Sequence, residues 1–499
     1  MEKKQNRRSF IKQLSYGSGT LLLTVGGTFF IFRETSTADK LVSYLRKNIR
    51  GKVIIDAVEL NEFVTNYGHF ERKSPRVVVS PKDASDVSVV FDIANRYKVP
   101  VHLRGNGHSC SSLNISAGGI IIDNSSEYPD YYLGEGVVNA SSKMRTYHLQ
   151  QELRHQGLSI PTWISGPQTM TIGGLISAGG IGHYALDHSY VVTNISKLDL
   201  VTPTGEIKKS CSMSKDSDLF RYSLCGIGQI SYIERLELKT IKLERWVSMR
   251  RIIEINSEGM ISRLKHIYTL AEQGKINFFT MIWPRTGLKS TMFSYFGPDL
   301  YAYFEAGKLF ESEERAKEYD FDTEGERDFI PDYFQWNTRG GTLITIGKPT
   351  SYKLWANYAF CNENWEEFLL RTTKHFDDTN LRDYFTIASQ MFKIKTNHNI
   401  PFVPIKATGK KVGVAFTIQC PLVEYGNTEQ LNTFLKEFEK MTEHCVSLGG
   451  RPYLSGRSLV LNREQQLELY GDDFRKFLEL KSQIDPNNIL NPYTWGYEI

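Results

Sequence analysis

Leu103-Arg104-Gly105-Asn106-Gly107-His108-Ser109 follows directly on an apolar run, Val99 to Arg104, that reads as a β-strand. A strand ending in Gly-x-Gly makes a turn whose backbone can approach a ligand closely, because glycine has no Cβ and tolerates positive φ. Successive amides in such a turn can face a diphosphate, and the small polar Ser109 ends it. Read alone, the motif is equally a tight turn carrying a surface histidine, so its surroundings decide.

Upstream, Val77-Val78-Val79-Ser80 is a short β-branched run. Asp83 to Lys98 then has Val87, Val90, Phe91 and Ala94 at helical spacing. Strand, helix and strand thus lead into the glycine turn. Downstream, Gly118 to Asp123, Gly136 to Asn139, Lys197 to Thr202, Gly205 to Lys209 and Ile230 to Ile241 read as strands, with helices at Ser142 to Gln156 and Ser217 to Leu224. The result is an α+β domain of about 200 residues, an ordinary domain size.

Two more glycine-rich segments fall in this domain. Met170-Thr171-Ile172-Gly173-Gly174-Leu175-Ile176-Ser177-Ala178-Gly179-Gly180-Ile181-Gly182 alternates glycines with small residues, as a segment packed against something flat or phosphorylated would. Ser217-Asp218-Leu219-Phe220 leads to Gly226-Ile227-Gly228-Gln229 and a strand toward Ile233, where glycines again permit close backbone approach.

In this order and spacing the three segments resemble the FAD-binding domain of the vanillyl-alcohol oxidase/p-cresol methylhydroxylase superfamily, and most closely cytokinin dehydrogenases and their bacterial relatives. Leu198-Asp199-Leu200-Val201-Thr202 with Gly205-Glu206, and the closing Asp485-Pro486-Asn487-Asn488-Ile489-Leu490-Asn491-Pro492, also match. The resemblance covers residues 70 to 245 and 450 to 495 well and the middle loosely. It implies a discontinuous FAD-binding domain of two subdomains, residues 41–245 with a returning C-terminal segment 456–499, and an inserted substrate domain, 246–455, of antiparallel sheet covered by helices.

The resemblance also implies roles. His108 matches the position that bonds covalently to the flavin in cytokinin dehydrogenases. Leu103, Arg104, Gly105, Asn106, Gly107, Ser109, Thr171, Gly173, Gly174, Ser177, Ile181, Ile233, Tyr453 and Asn491 match positions that contact FAD or lie near it. Relatives of the berberine-bridge type add a cysteinyl flavin bond, but Pro167 stands at that place here, which excludes a doubly attached flavin. Cytokinin dehydrogenases carry a proton-accepting aspartate just before the second glycine segment. Here Pro161 to Gln168 contains no acid, and Gly166 stands in its place. Removing a proton from an amine or alcohol needs a base within hydrogen-bond reach, so either another residue supplies it or the substrate differs. Arg451, Tyr453 and Gln419 are the catalytic candidates, with His183 and His188 as further possible bases.

The middle of the chain has a different texture. Aromatic stretches (Phe278, Phe279, Trp283; Tyr301, Tyr303, Phe304) alternate with strand-like runs at Thr342 to Ile346, Trp355 to Phe360 and Val412 to Ile418. Amphipathic helices are expected at Trp365 to Phe376 and Thr428 to Leu448, a solvated charged helix or loop at Glu311 to Glu318, and one helix from Asn462 to Ile484 stopped by Asp485-Pro486.

The 499 residues include 60 Lys+Arg and 56 Asp+Glu, a formal charge of +4. That balance lacks the concentrated basic face of a nucleic-acid binder. Six scattered cysteines, without a CxxC pair, argue against a disulfide scaffold and a zinc site and read as reduced core thiols. No spaced set of metal ligands is present.

The first 40 residues read as an address. Arg7-Arg8-Ser9-Phe10-Ile11-Lys12 precedes a mildly apolar, uncharged stretch from Leu14 to Phe32, the layout of a twin-arginine export signal, either cleaved or kept as a membrane anchor. That route carries folded proteins, which suits a chain that takes up its cofactor first. The sequence therefore predicts an exported FAD-dependent oxidoreductase. It would remove a hydride from a C–H next to N or O of a small molecule and pass electrons to oxygen or another acceptor. An alditol or aldonolactone oxidase and a non-catalytic, anchored flavin-binding protein are the alternatives.

Overall fold

The computed structural model describes residues 20–25, 28–33, 37–69, 71–110, 112–126, 128, 130–164, 169–291, 293–332, 334, 351–456 and 461–492. The export motif, residues 165–168 with Gly166 and Pro167, and the run 342–346 lie outside them. Within the apolar N-terminal stretch, Thr20–Val25 pairs with Thr28–Arg33 as an antiparallel hairpin. No helix among the described residues is long and apolar enough to cross a membrane.

The β-branched run Val77–Ser80 lies in a four-stranded sheet, in the order Lys52–Ile54, Val77–Ser80, Ile120–Asp123, Val101–Arg104. The last three strands are parallel, and parallel neighbours need a crossover connection. The helix Ala84–Tyr97 supplies one. Asp83 caps its start by accepting from the Ser85 amide, and Lys98 ends it at φ 51°. Its Val87, Val90, Phe91 and Ala94 are buried with Leu41 and Leu45 of the helix Thr37–Asn48.

A second, antiparallel sheet follows: Ile207–Cys211, Ile195–Val201, Tyr232–Lys239, Val137–Ser141, Tyr131–Gly134. The edge strand Tyr131–Gly134 is an addition to the sequence reading. It joins Val137–Ser141 through Glu135-Gly136, with Gly136 at φ 67°, and its alternating half-buried and exposed residues give no hydrophobic run to detect.

The third sheet belongs to the middle of the chain and has eight antiparallel strands: Glu326–Ile330, Trp246–Glu254, Ala302–Phe310, Phe278–Trp283, Thr386–Lys393, Val412–Glu424, Ser351–Phe360, Arg451–Pro452. Side chains alternate between faces along a strand. Phe279, Met281, Phe304, Ala306, Ala356, Tyr358, Phe416 and Ile418 share one core with the helices Ser257–Glu272, Trp365–Asp378 and Thr428–Ser447. The intervening residues are left for the opposite face. Of the aromatic stretches, Phe279, Trp283 and Phe304 lie in this helix-facing core while Phe278 and Tyr303 belong to other clusters, and the charged run contains a short helix, Glu313–Glu318.

The single helix expected from Asn462 to Ile484 is two, Arg463–Tyr470 and Asp472–Ile484. Gly471, at φ 56°, closes the first against the Leu467 carbonyl, and the second starts at Asp472. The chain then returns to the first sheet: Val101 donates to the Ile489 carbonyl at 2.7 Å and Asn491 to the Val101 carbonyl at 2.8 Å. Lys481 secures this return from inside. Its buried ammonium donates to Asp485 at 2.6 Å, to the Leu490 carbonyl at 2.7 Å and to the Gln229 carbonyl at 2.9 Å. Asp485 in turn accepts from the Ile489 and Leu490 amides. All six cysteines are buried free thiols.

Removing one partner of a buried pair leaves the other charge uncompensated, at about 3–5 kcal/mol. Lys481→Met is therefore expected to lose stability of that order in chemical denaturation, far more than Lys476→Met on the same helix.

Candidate functional site

The three glycine segments and the C-terminal return meet at Asn491. Its side-chain Oδ1 accepts from the Leu103 amide at 3.2 Å, and its side-chain Nδ2 donates to the Gly228 carbonyl at 2.8 Å. The Ile227 amide donates to the Ser177 carbonyl at 2.8 Å, which ties the third segment to the second. Thr171 caps the short helix Ile172–Ala178 by accepting from the Gly174 amide at 3.2 Å. The contacts leave no room for side chains. A Cβ on Gly105 would lie 2.4 Å from Thr171 Oγ1, and one on Gly228, at φ 71°, would lie 2.8 Å from Asn491 Nδ2.

These segments form one wall of a cavity of about 1100 Å³, with a smaller one of about 90 Å³ adjoining it. Leu103, Arg104, Gly105, Asn106, Gly107, His108, Ser109, Thr171, Gly174, Ser177, Ile181 and Tyr453 line the large cavity. Gly173, Ile233 and Asn491 line the small one. Every residue that the resemblance assigned to FAD therefore faces one of the two spaces.

His108 is stacked on Tyr67, with ring centroids 5.2 Å apart and planes 12° apart, and its Nε2 contacts Thr169 Oγ1. The Lys353 ammonium sits over the other partner of that stack, 4.9 Å from the Tyr67 centroid. Burial, and secondarily Lys353, push the His108 pKa down to about 4. The imidazole is uncharged at neutral pH, the form in which its nitrogen is a nucleophile. Arg104 also braces the turn, donating to the Thr65 carbonyl at 2.7 Å.

The opposite wall is the free face of the eight-stranded sheet. Tyr303, Ile282, Ala388, Thr417 and Asn357 form a row across five strands by direct register. All five line the cavity, as do Glu305, Thr280, Gln390, Gln419 and Trp355 one step along their strands. Phe293 and Phe296 pack on the Tyr303 ring with centroids 5.4 and 5.0 Å away. Gln419 Oε1 and Asn357 Oδ1 are buried acceptors without a hydrogen-bond partner among the described residues. An unmatched buried acceptor is costly, so this face suits a ligand that brings N–H or O–H donors.

Glu305 is 3% exposed, and its Oε1 accepts from the Tyr303 hydroxyl at 2.6 Å. Burial raises its pKa to about 7. Sequence reasoning missed it, although a lone carboxyl inside the apolar run Ala302–Phe310 is the kind of exception that marks a site. Missed for a different reason were Tyr67 and Lys353, since nothing local connects either to His108.

The catalytic candidates from the sequence separate. Gln419 and Tyr453 line the cavity, and burial holds the Tyr453 hydroxyl protonated well above the ordinary tyrosine range. His183 lines it too, but lies against Trp163 and Phe278, and burial pushes it down to about 3, a weak base. Arg451 is a correction. Its guanidinium donates to the Val403 and Ile405 carbonyls and lies over the Tyr470 ring, outside the cavity lining, because its strand position points it at the loop below. His188 likewise stays outside, its carbonyl accepting from Lys395.

Residues 75–210 match the family described as an FAD binding domain. Cytokinin dehydrogenase 5 of Oryza sativa subsp. japonica is 26% identical over 347 residues, 60% of this chain and 60% of the relative. Cytokinin dehydrogenase 3 of the same plant is 32% identical over 184 residues, 35% of this chain and 34% of the relative. Cytokinin dehydrogenase 1 of Arabidopsis thaliana is 26% identical over 234 residues, 44% and 39%. The chain thus spans between 34% and 60% of the length of these relatives. It carries an FAD-binding domain and is related to the cytokinin dehydrogenases.

Overpacking at a close approach costs about 1–3 kcal/mol. Gly105→Ala is therefore expected to purify with a smaller share of bound flavin, read from the ratio of visible to ultraviolet absorbance. Adding Thr171→Ala, which removes the clashing oxygen, is expected to restore part of it.

Proposed function

We propose that this protein is an FAD-dependent oxidoreductase that removes a hydride from a C–H bond adjacent to N or O of a small molecule. The observation that carries this reading is the cavity shared by two unlike walls, glycine loops on one side and a side-chain-bearing sheet on the other. Bare glycine backbone suits a dinucleotide and patterned side chains suit a substrate. FAD fits the first wall on this ground: Gly105 and Gly228 present bare backbone to the cavities, and a Cβ is kept off both by the close approach of Thr171 and Asn491. Bound there, the flavin supplies the two-electron acceptor, and the protein supplies orientation and electrostatics.

His108 is the residue to carry a covalent flavin link, its uncharged imidazole steadied by Tyr67 and Thr169. Asn491 fixes the spacing between the first and third glycine segments, and with it the width of the dinucleotide groove. On the facing sheet, Gln419 and Asn357 accept hydrogen bonds from the substrate, while Phe293, Phe296, Tyr303 and Trp355 exclude water from it. That aromatic wall favours a flat, amine-bearing substrate, as the names of the relatives suggest, over a polyhydroxylated alditol. Oxygen or another acceptor then takes the electrons. The paired Arg7-Arg8 and the apolar stretch after them support export by the twin-arginine route.

Anaerobic mixing with a panel of N-substituted aminopurines, alkylamines, alditols and aldonolactones should bleach the oxidised flavin band with the flat amines. No bleaching across the panel would favour a flavin carrier without catalysis. Acid precipitation is expected to leave the yellow colour with the polypeptide in the native protein and to release it from His108→Ala.

A further inference from the structure

Two-electron oxidation of a C–H next to N or O releases a proton as well as a hydride, and the proton needs a destination. Among the described residues lining the large cavity there are two carboxyl groups, Glu62 and Glu305. Glu62 is exposed at the rim, whereas Glu305 is buried on the inner face of the sheet, in register with Thr280 on one side and Arg251 on the other. Its Oε1 is engaged by Tyr303, and the residue lines the cavity.

We propose that Glu305 is the catalytic base, taking the substrate's N–H or O–H proton, and that Tyr303 is the positioning residue that holds its carboxylate. The proposal rests on the hydride-transfer reading above. In this step the C–H bond breaks with its electron pair, which leaves as hydride and reduces the oxidised flavin by two electrons. The N–H or O–H bond breaks with its proton going to the Glu305 carboxylate, and the electrons of that bond close the C=N or C=O of the product. A base on the cap sheet answers the lack of an acid in Pro161 to Gln168.

The groups facing Glu305 are consistent with this role. Tyr303 donates from its own strand and favours the ionised form. Arg251, on the neighbouring strand, pairs with Asp328 on the next at 2.5 Å, and the two charges act on the carboxyl in opposite directions. Burial is left as the leading influence, and it places the ionisation at about 7, where a base can both accept and release a proton under working conditions. The two candidates near the glycine wall do this less well: Tyr453 keeps its proton and His183 is too weakly basic.

The test is anaerobic flavin reduction by the same panel over a pH series, in the holoprotein and in Glu305→Gln, Glu305→Asp and Tyr303→Phe. The rate in the native protein should rise with pH through about 7 as the carboxyl ionises. Glu305→Gln should keep its flavin content and spectrum, lose that limb and slow reduction by at least about 100-fold, the usual scale for losing a general base; Glu305→Asp should recover part of it. Tyr303→Phe, deprived of the bond that favours the carboxylate, should shift the limb to higher pH while approaching the native rate above it. Equal rates in the native protein and Glu305→Gln overturn the assignment alone, whereas failure of every panel member to reduce the native flavin overturns the hydride-transfer reading and the assignment with it. An infrared difference between the native protein and Glu305→Gln should independently show a protonated-carboxyl band that fades as pH rises through about 7. Absence of that band at pH 5 and above removes the titrating carboxyl on which the assignment stands.

Discussion

The buried ammonium of Lys481 is the constraint on which the rest of the site depends. A charge taken out of water must be met by fixed partners, and Lys481 has three: the Asp485 carboxylate and the Gln229 and Leu490 carbonyls. Those partners lie on the C-terminal return and on the third glycine segment. With them in place, Asn491 can reach Leu103 on one side and Gly228 on the other. The position of the first glycine turn is therefore set by a side chain remote in sequence that touches no part of it.

The cavity's second wall is organised on a different principle. In the eight-stranded sheet, alternation alone separates a face of Phe, Met, Tyr and Ala, packed under three helices, from a face of Tyr303, Glu305, Thr280, Gln390, Thr417, Gln419, Trp355 and Asn357. Polar groups on that second face are costly to bury in the absence of a partner, yet two of its amide oxygens have none among the described residues. A sheet that carries such residues in five adjacent strands is shaped for a ligand rather than for a core.

How much could be read beforehand follows from these two principles. The glycine segments were legible because backbone approach demands a residue type, and Gly-x-Gly after an apolar strand shows that demand locally. The sheet's helix-facing half was visible as aromatic runs. Its cavity-facing half was legible only at Gln419, since Thr280 and Gln390 are ordinary polar residues until register aligns them across strands separated by long stretches of chain. Arg451 misled for the same reason: its neighbourhood in the sequence matched a flavin-proximal stretch, but the direction of its side chain depends on the strand it joins. The extra break at Gly471 was encoded by the glycine itself, within an otherwise continuous amphipathic pattern.

The return of the C-terminus to the strand Val101–Arg104 also fixes the order of events during biosynthesis. Leu103 and Asn491 are 388 positions apart, and everything between them, including the whole eight-stranded sheet, is translated before they can meet. The substrate half can therefore complete its own core while the flavin half is still missing a keystone. A nascent chain arrested after Pro452 but before Asn491 would contain every strand of the sheet and still lack the side chain that joins the first and third glycine segments, so closure of the dinucleotide groove awaits the closing motif.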